Sequence, residues 1–162
     1  MFTDASPPLA CGTTLLPIAR ATIANALGHD AEAAREAEEA AWLREQGACF
    51  VTLRQAGQLR GCIGSLEARR TLLADVKGNA VAAALNDPRF APLRATELAQ
   101  THIEVSLLSP LQALRFDGEA QALAQLRPGV DGVMLEFERY RSTFLPQVWD
   151  QLPAAPEFMA QL

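Results

Sequence analysis

The chain has 162 residues, of which 49% are hydrophobic and 20% charged, a composition typical of a globular protein that folds as a single domain over residues 1–162. A domain of this size buries roughly two thirds of its unfolded surface, so its stability does not require disulfides or a structural metal. The net charge of −5, with no basic cluster beyond Arg69-Arg70, argues against nucleic acid as a main partner.

The N-terminal residues and the cysteines indicate a cytoplasmic protein. Residues 1–8 lack the basic start and apolar centre of a secretory signal, and no apolar run is long enough to span a bilayer. The three cysteines, Cys11, Cys49 and Cys62, include no closely spaced pair, which argues against a disulfide framework and a cysteine-rich zinc site. We therefore expect a reducing compartment, no membrane association and no cofactor.

Helical and strand patterns alternate irregularly along the chain, which favours an α+β fold over a doubly wound sheet. Apolar spacing predicts one helix that ends at Gly28 and a second, almost uniformly apolar helix from Thr71 to the residues before Pro88. The acidic segment 30–46 is interpreted as an exposed helix or ordered linker. Further strands are predicted at 101–108, 133–138 and 140–145, and a short helix at 146–152.

The residues from Gly47 to Ser65 predict a β-hairpin. With Ala56-Gly57 as a two-residue turn, Val51 lies opposite Cys62, and one face carries Cys49, Val51, Leu53, Arg60 and Cys62. A three-residue loop would reverse these neighbours. In the first register Cys49 and Cys62 are diagonal neighbours about 7 to 8 Å apart at Cα. That separation is at or beyond the usual limit for a disulfide, and we predict none between them.

The clearest chemical signal in the chain is Leu59-Arg60-Gly61-Cys62-Ile63-Gly64. Glycines on both sides of a cysteine in a strand indicate a bulge or a close approach to the backbone, so Gly61 and Gly64 are predicted to border a ligand. A guanidinium at Arg60 would favour the thiolate, which is the reactive form of cysteine. Cys62 is thus a candidate nucleophile or adduct-forming thiol, and the alternative is a small buried hydrophobe that only packs.

Three other positions carry candidate roles. His102 and Glu104 lie two residues apart on the polar side of a strand, where they could act as general base and partner or form an ordinary solvated face. Asn79 lies within an apolar helix, where it either satisfies a buried polar group or points into a ligand pocket. A metal site is not expected, because His29 is the only other histidine.

The fourth candidate is Arg89, in the turn Asp87-Pro88-Arg89-Phe90. Its planar guanidinium suits a carboxylate or phosphate, so it could clamp an anion beside the thiol. The structural alternative is a turn in which Asp87 accepts backbone hydrogen bonds and Phe90 fills the core.

The stretch Leu59-Arg60-Gly61-Cys62-Ile63-Gly64 resembles the signature hexapeptide of the AMMECR domain family, whose prokaryotic members are called AmmeMemoRadiSam system protein A. Four further blocks resemble the family in the same order: Gly47-Ala48-Cys49-Phe50-Val51-Thr52-Leu53, Asp87-Pro88-Arg89-Phe90 with Pro92-Leu93, Ile103-Glu104-Val105-Ser106-Leu107-Leu108-Ser109-Pro110, and Phe144-Leu145-Pro146-Gln147-Val148-Trp149. Family members usually continue to a Lys-Ala-Gly-Leu stretch that is absent before Leu162, which leaves open a trimmed C-terminus.

The resemblance implies an α+β domain with a mainly antiparallel sheet packed with helices. It also implies protein partners, namely a Memo-like protein and a radical S-adenosylmethionine protein, but no reaction and no oligomeric state. Two hypotheses follow for function. Either the chain is a small enzyme or substrate-handling subunit with Cys62 at its reactive centre, or it is a docking module in which Cys62 is structural.

Overall fold

The computed structural model describes residues 2–3, 9–31 and 35–162, which divide into two units. The described residues up to Leu108, apart from the first strand, form the larger unit, and residues 109–162 with that strand form the smaller one. The strands are β1 (Phe2–Thr3), β2 (Gln46–Gln55), β3 (Gln58–Gly64), β4 (Arg70–Thr71), β5 (His102–Leu108), β6 (Asp131–Phe137) and β7 (Tyr140–Phe144). The α-helices are α1 (Leu9–Ala26), α2 (Arg35–Glu38), α3 (Leu72–Leu85), α4 (Glu119–Gln125) and α5 (Ala155–Gln161).

The larger unit is an antiparallel sheet covered on one face by helices. β2 is central and pairs with β3 on one side and β5 on the other, while β4 pairs with the first residues of β2. α3 packs on β2 and β3, and α1 packs on α3 and β5. The core between them is apolar and includes Ile18, Ile23, Cys49, Val51, Leu53, Val76 and Ala80, all fully buried. These antiparallel strands and helices confirm the predicted α+β class.

The ends of the two main helices follow from local chemistry. α1 ends before Gly28, whose φ of +85° lies in the left-handed region that glycine adopts without strain. α3 begins where the Thr71 hydroxyl accepts a hydrogen bond from the N–H of Ala74, and it ends before Asn86-Asp87-Pro88, as predicted. The segment 30–46, expected to be exposed, contains α2 and a 3₁₀ helix at Ala41–Arg44, which buries Leu43 completely.

The β2–β3 hairpin confirms the predicted turn but corrects the predicted register. Arg54 pairs with Leu59 around the Ala56-Gly57 turn, and the register then shifts so that Leu53 pairs with Gly61. Arg60 is therefore the extra residue of a β-bulge. Beyond the bulge Cys62 lies opposite Thr52, not Val51, so its side chain leaves the core face that Cys49, Val51 and Leu53 occupy. Cys49 and Cys62 lie on opposite faces as free cysteines, and the predicted absence of a disulfide between them is confirmed.

The smaller unit is a short sheet in the order β1-β6-β7 with its own apolar core. Trp149, in a 3₁₀ helix at Pro146–Asp150, stacks on Phe158 of α5 with ring centroids 3.7 Å apart. The indole N–H of Trp149 donates to the carbonyl of Asp131, 2.7 Å away. The predicted strands at 133–138 and 140–145 and the short helix at 146–152 are confirmed, whereas the patterns predicted neither α4 nor α5. Among the described residues, no helix has both the length and the apolar character needed to cross a membrane.

Candidate functional site

The backbone N–H, the carbonyl and the thiol of Cys62 each have a hydrogen-bond partner, one from β2 and two from the loop that follows α3. Its thiol accepts a hydrogen bond from the Thr52 hydroxyl of β2 at 3.3 Å. Its N–H donates to a carboxylate oxygen of Asp87 at 2.8 Å, and its carbonyl accepts from Nη2 of Arg89 at 3.0 Å. Cys62 is half-buried, and its pairing with Thr52 puts the thiol on the face of the sheet opposite α3, with the Thr52 hydroxyl beside it.

Asp87 and Arg89, which follow α3, form a bidentate ion pair beside Cys62. Nε and Nη2 of Arg89 lie 3.0 and 2.7 Å from the two oxygens of Asp87. The carboxylate is buried, and the hydrogen bonds from Arg89 hold its pKa well below the usual range. In turn Asp87 raises the pKa of Arg89, and the Cys62 thiol contributes in the same direction. The structural alternative was a turn in which Asp87 accepts backbone hydrogen bonds and Phe90 fills the core. Asp87 does accept from the N–H of Arg89, but Phe90 is only half-buried.

Arg89, not Arg60, is the guanidinium at Cys62. The side chain of Arg89 is 53% exposed, and within the described part of the chain its Nη1 group has no hydrogen-bond partner. That group is therefore available to an anion that approaches the thiol.

The bulge directs Arg60 elsewhere, which corrects its predicted role at the thiol. Its guanidinium donates to both oxygens of Glu97, at 3.2 and 3.3 Å, and to the carbonyls of Ala91 and Pro92. Arg60 thereby lowers the pKa of Glu97 and fastens β3 to the loop that follows Phe90. These contacts join parts of the fold, and the predicted ligand-binding role of Arg60 stays a prediction.

The two glycines of the hexapeptide face close neighbours in the protein. A Cβ atom at Gly61 would overlap the backbone carbonyl oxygen of Ala83 in α3, and one at Gly64 would overlap the ring of Phe50. The predicted close approach at both glycines therefore exists, but to α3 and to an aromatic ring. Their prediction as ligand-binding residues stays a prediction.

Glu104 shares a row of the sheet with the thiol, because Thr52 pairs with Cys62 on one side and with Glu104 on the other. Two strand spacings separate Cys62 from Glu104, which is about 9 to 10 Å. Glu104 accepts from Nε of Arg54 at 3.1 Å, and Nε2 of His102 lies 3.9 Å from the same carboxylate oxygen.

His102 is one row further from the thiol, opposite Arg54. Its side chain is 74% exposed and lines, with Ile103 and residues of α1, an apolar depression of about 510 Å³. The structure thus places His102, Glu104 and Cys62 on one face without contact between the thiol and the other two. Their predicted catalytic roles stay predictions.

Asn79 belongs to a separate buried network on the helix side of the sheet. Its amide donates to the carbonyl of Cys49 and to Asp75, both at 2.9 Å, and its oxygen accepts from Arg70 at 3.2 Å. Asp75 also accepts from Ser65 at 2.6 Å. This arrangement favours satisfaction of buried polar groups over the predicted ligand-binding role of Asn79.

The same network surrounds Cys49, the other described free thiol. Cys49 is fully buried, and its burial, together with the neighbouring Asp75 carboxylate, raises the pKa of the thiol far above its ordinary value. Within the described residues, no group of three or more histidine, cysteine, aspartate or glutamate side chains is arranged to hold a metal ion.

Sequence reasoning missed Thr52, whose hydroxyl donates a hydrogen bond to the sulfur of Cys62. The alternation of Val51, Thr52 and Leu53 placed its hydroxyl off the core face, but the bulge that aligns it with Cys62 depends on the fold. Asp87 was recognised as a turn residue, and its bond to Cys62 could not be read from a separation of 25 residues.

Comparison with known proteins agrees with this architecture. The chain is 36% identical to a protein from Methanothermobacter thermautotrophicus over 91% of this chain and 78% of that one, and 33% identical to a protein from Methanocaldococcus jannaschii over 93% and 76%. It is also similar to the crystal structure of an uncharacterized protein from Pyrococcus horikoshii, with a TM-score of 0.79 and 29% identity over 91% of this chain and 75% of that one.

The match to a protein family spans both structural units. The AMMECR1 family model matches residues 16–162, which include the hairpin of Cys62, the turn of Arg89 and the whole of the smaller unit after β1. The sequence, the fold and these relatives together show that the chain belongs to the AMMECR1 family.

Proposed function

We propose that the protein is the thiol-bearing component of a multi-protein modification system, with Cys62 as its reactive centre. The observation that carries this proposal is the hydrogen bond from the Thr52 hydroxyl to the sulfur of Cys62, a residue that is half-buried. A hydroxyl that donates to sulfur stabilises the thiolate more than the thiol, and the thiolate is the nucleophile.

Arg89 supplies the second element of the proposed site. Its Nη1 group, which has no hydrogen-bond partner among the residues that the structure describes, would bind an anionic group of a substrate near the thiol. Asp87 fixes the guanidinium in this position through two hydrogen bonds and therefore positions Arg89. The remaining polar face, with Glu104 and His102, could contact parts of the substrate further from the sulfur.

The proposed system and partners rest on the family resemblance, and the proposed location rests on the cysteine content. We propose the role of the A component of an AmmeMemoRadiSam-type system, in the cytoplasm, with a Memo-like protein and a radical S-adenosylmethionine protein as partners. We propose no nucleic-acid partner, because the chain carries a net charge of −5.

The test is the rate of alkylation by iodoacetamide from pH 6 to pH 9, read for each cysteine by peptide mass spectrometry. In this reaction the thiolate sulfur bonds to the methylene carbon and iodide leaves. We expect Cys62 to react at neutral pH and the buried Cys49 to remain unmodified in the folded protein. Thr52→Val should slow the reaction of Cys62 about fivefold, the effect of a hydrogen bond worth about 1 kcal/mol.

Thr52→Ser is the matched control, because it retains the hydroxyl and should restore the rate. A Cys62 thiol that reacts no faster than Cys49, or a rate unchanged in Thr52→Val, would contradict the proposal.

The second candidate function is a docking module in which Cys62 only packs. It is favoured by the way Arg60, Asp87 and Arg89 are bonded to backbone groups, so that the hexapeptide and the 87–90 turn form one shaped surface. Under this alternative Cys62→Ser lowers the midpoint of urea unfolding and changes no reaction. Under the first proposal the variant keeps its midpoint of urea unfolding, because the thiol acts chemically and not through packing.

A further inference from the structure

A second cavity, of about 480 Å³, is built entirely from residues of the smaller unit. It lies between β6, the segment 112–116, α4 and α5. Its lining is mostly apolar and includes the large side chains of Leu114, Phe116, Leu123, Leu126, Leu135 and Met159.

The cavity follows an edge of β6 that has no strand partner. β1 pairs with only the first two residues of β6, Asp131 and Gly132, whereas β7 pairs with the strand from Val133 to Phe137. On the side of β6 away from β7, residues 133–137 therefore have no neighbouring strand within the described part of the chain. Four successive residues, 133–136, line the cavity. Because successive side chains point to opposite faces, a cavity that touches all four lies along the strand edge.

The cavity is open, and large apolar side chains remain exposed within it. Phe116 is 55% exposed and Leu135 is 45% exposed, although both line the cavity. A free strand edge beside exposed apolar side chains is a template for pairing with another chain.

The charges at this cavity are acidic. Glu119 and Glu136 line it, and none of the described residues that line it is basic. Glu136 pairs with Arg141 of β7, while Glu119 has no ion-pair partner among the described residues. A partner that presents lysine or arginine next to apolar side chains therefore complements both the charge and the polarity of the groove.

We propose that this groove, lined by residues 112–114, 116, 119, 122–123, 126, 133–136 and 159, binds an extended peptide segment of a partner protein in which apolar side chains alternate with lysine or arginine. The peptide would pair with the backbone edge of β6, seat its apolar side chains in the cavity and direct its cations to Glu119 and Glu136. Addition of a strand to an open edge is an established mode of peptide recognition, in which the backbone supplies affinity and pockets supply specificity.

The test uses the full chain and a fluorescein-labelled heptapeptide, Lys-Val-Lys-Val-Lys-Val-Lys, followed by fluorescence anisotropy. The comparison peptides are a glutamate–valine and a lysine–serine heptapeptide of the same length. We expect both to bind at least about tenfold more weakly, since one reverses the charge and the other removes the apolar side chains.

Two double variants separate the groove from general charge attraction. Glu119→Gln with Glu136→Gln should weaken the binding of the lysine–valine peptide about tenfold. Glu138→Gln with Glu157→Gln changes the net charge equally but lies outside the groove lining, and it should leave binding unchanged. Leu135→Asp should abolish binding of the lysine–valine peptide. If circular dichroism shows that this variant is unfolded, Phe116→Ser is tested in its place, with the same expected result.

Three outcomes would overturn the proposal. The first is equal affinity for the acidic peptide, and the second is an equal loss in both double variants. The third is that the peptide does not bind, while analytical ultracentrifugation shows that the chain self-associates and that Leu135→Asp removes this self-association. That result would assign the edge to a second copy of the chain.

Discussion

Gly61 sets how closely β3 approaches α3. Its missing side chain leaves room for the carbonyl oxygen of Ala83, which belongs to backbone and cannot swing aside. Gly64 likewise leaves room for the ring of Phe50. The hexapeptide therefore needs glycine at these two positions because of what packs against them, and this requirement holds whether or not a ligand binds.

We predict that Gly61→Ala lowers the free energy of unfolding by about 1–3 kcal/mol, because overpacking forces the sheet and α3 apart. Chemical denaturation in urea measures this loss. Gly12→Ala is the control, since the position is helical and, among the described residues, no neighbouring atom lies within 4 Å of a Cβ there. Alanine at that helical position should be neutral or stabilising by up to about 1 kcal/mol. A Gly61→Ala protein as stable as wild type would contradict the close packing.

At the scale of elements, Asp87 joins the loop after α3 to β3. One buried carboxylate accepts from the N–H of Cys62 and from the guanidinium and N–H of Arg89. Removal of that charge leaves several donors without an acceptor, so Asp87 holds together the two sequence blocks that define the candidate site.

We predict that Asp87→Asn lowers the free energy of unfolding at pH 7 by about 2–4 kcal/mol. Because the pKa of Asp87 is lower in the folded than in the unfolded chain, its contribution is present at neutral pH. That contribution is lost as the pH falls below the unfolded pKa of about 3.9 towards the folded value.

The difference between wild type and Asp87→Asn in urea unfolding should therefore shrink between pH 5 and pH 2. Asp30→Asn is the control, because Asp30 is exposed, and it should be neutral at every pH. A difference for Asp87→Asn that stays constant with pH would contradict the assigned pKa direction.

At the scale of the whole molecule, the smaller unit is assembled from both ends of the chain, since β1 at residues 2–3 pairs with β6. The larger unit therefore separates the two paired strands along the sequence. We therefore retain the single domain over residues 1–162 as a proposal, with two units that unfold together.

Each unit contains one of the two tryptophans, Trp42 in the larger and Trp149 in the smaller. We predict that Trp42→Phe and Trp149→Phe proteins each show a fluorescence midpoint in urea that coincides with the midpoint by far-UV circular dichroism. Fluorescence and circular dichroism that separate within one variant would show two independently unfolding domains.

The sequence by itself determined much of the local structure. The period of apolar residues predicted α1, α3, the hairpin, β5 and β6, because a helix or strand needs one buried face whatever its partners are. The five ordered blocks pointed to the family, which the match over residues 16–162 confirms. In contrast, α4 and α5 were not predicted, since they are short and stabilised by packing against the apolar cluster of the smaller unit.

Only the tertiary structure decided which groups surround the thiol. A one-residue bulge at Arg60 moved Cys62 to the opposite face, replaced Val51 by Thr52 as its neighbour and sent the Arg60 guanidinium to Glu97. Arg89 reached Cys62 instead, across 27 residues of sequence. The physical reason is that side chains alternate with a period of two, so one inserted residue reverses a whole face; the glycines indicated a bulge near Cys62, but not which residue is inserted.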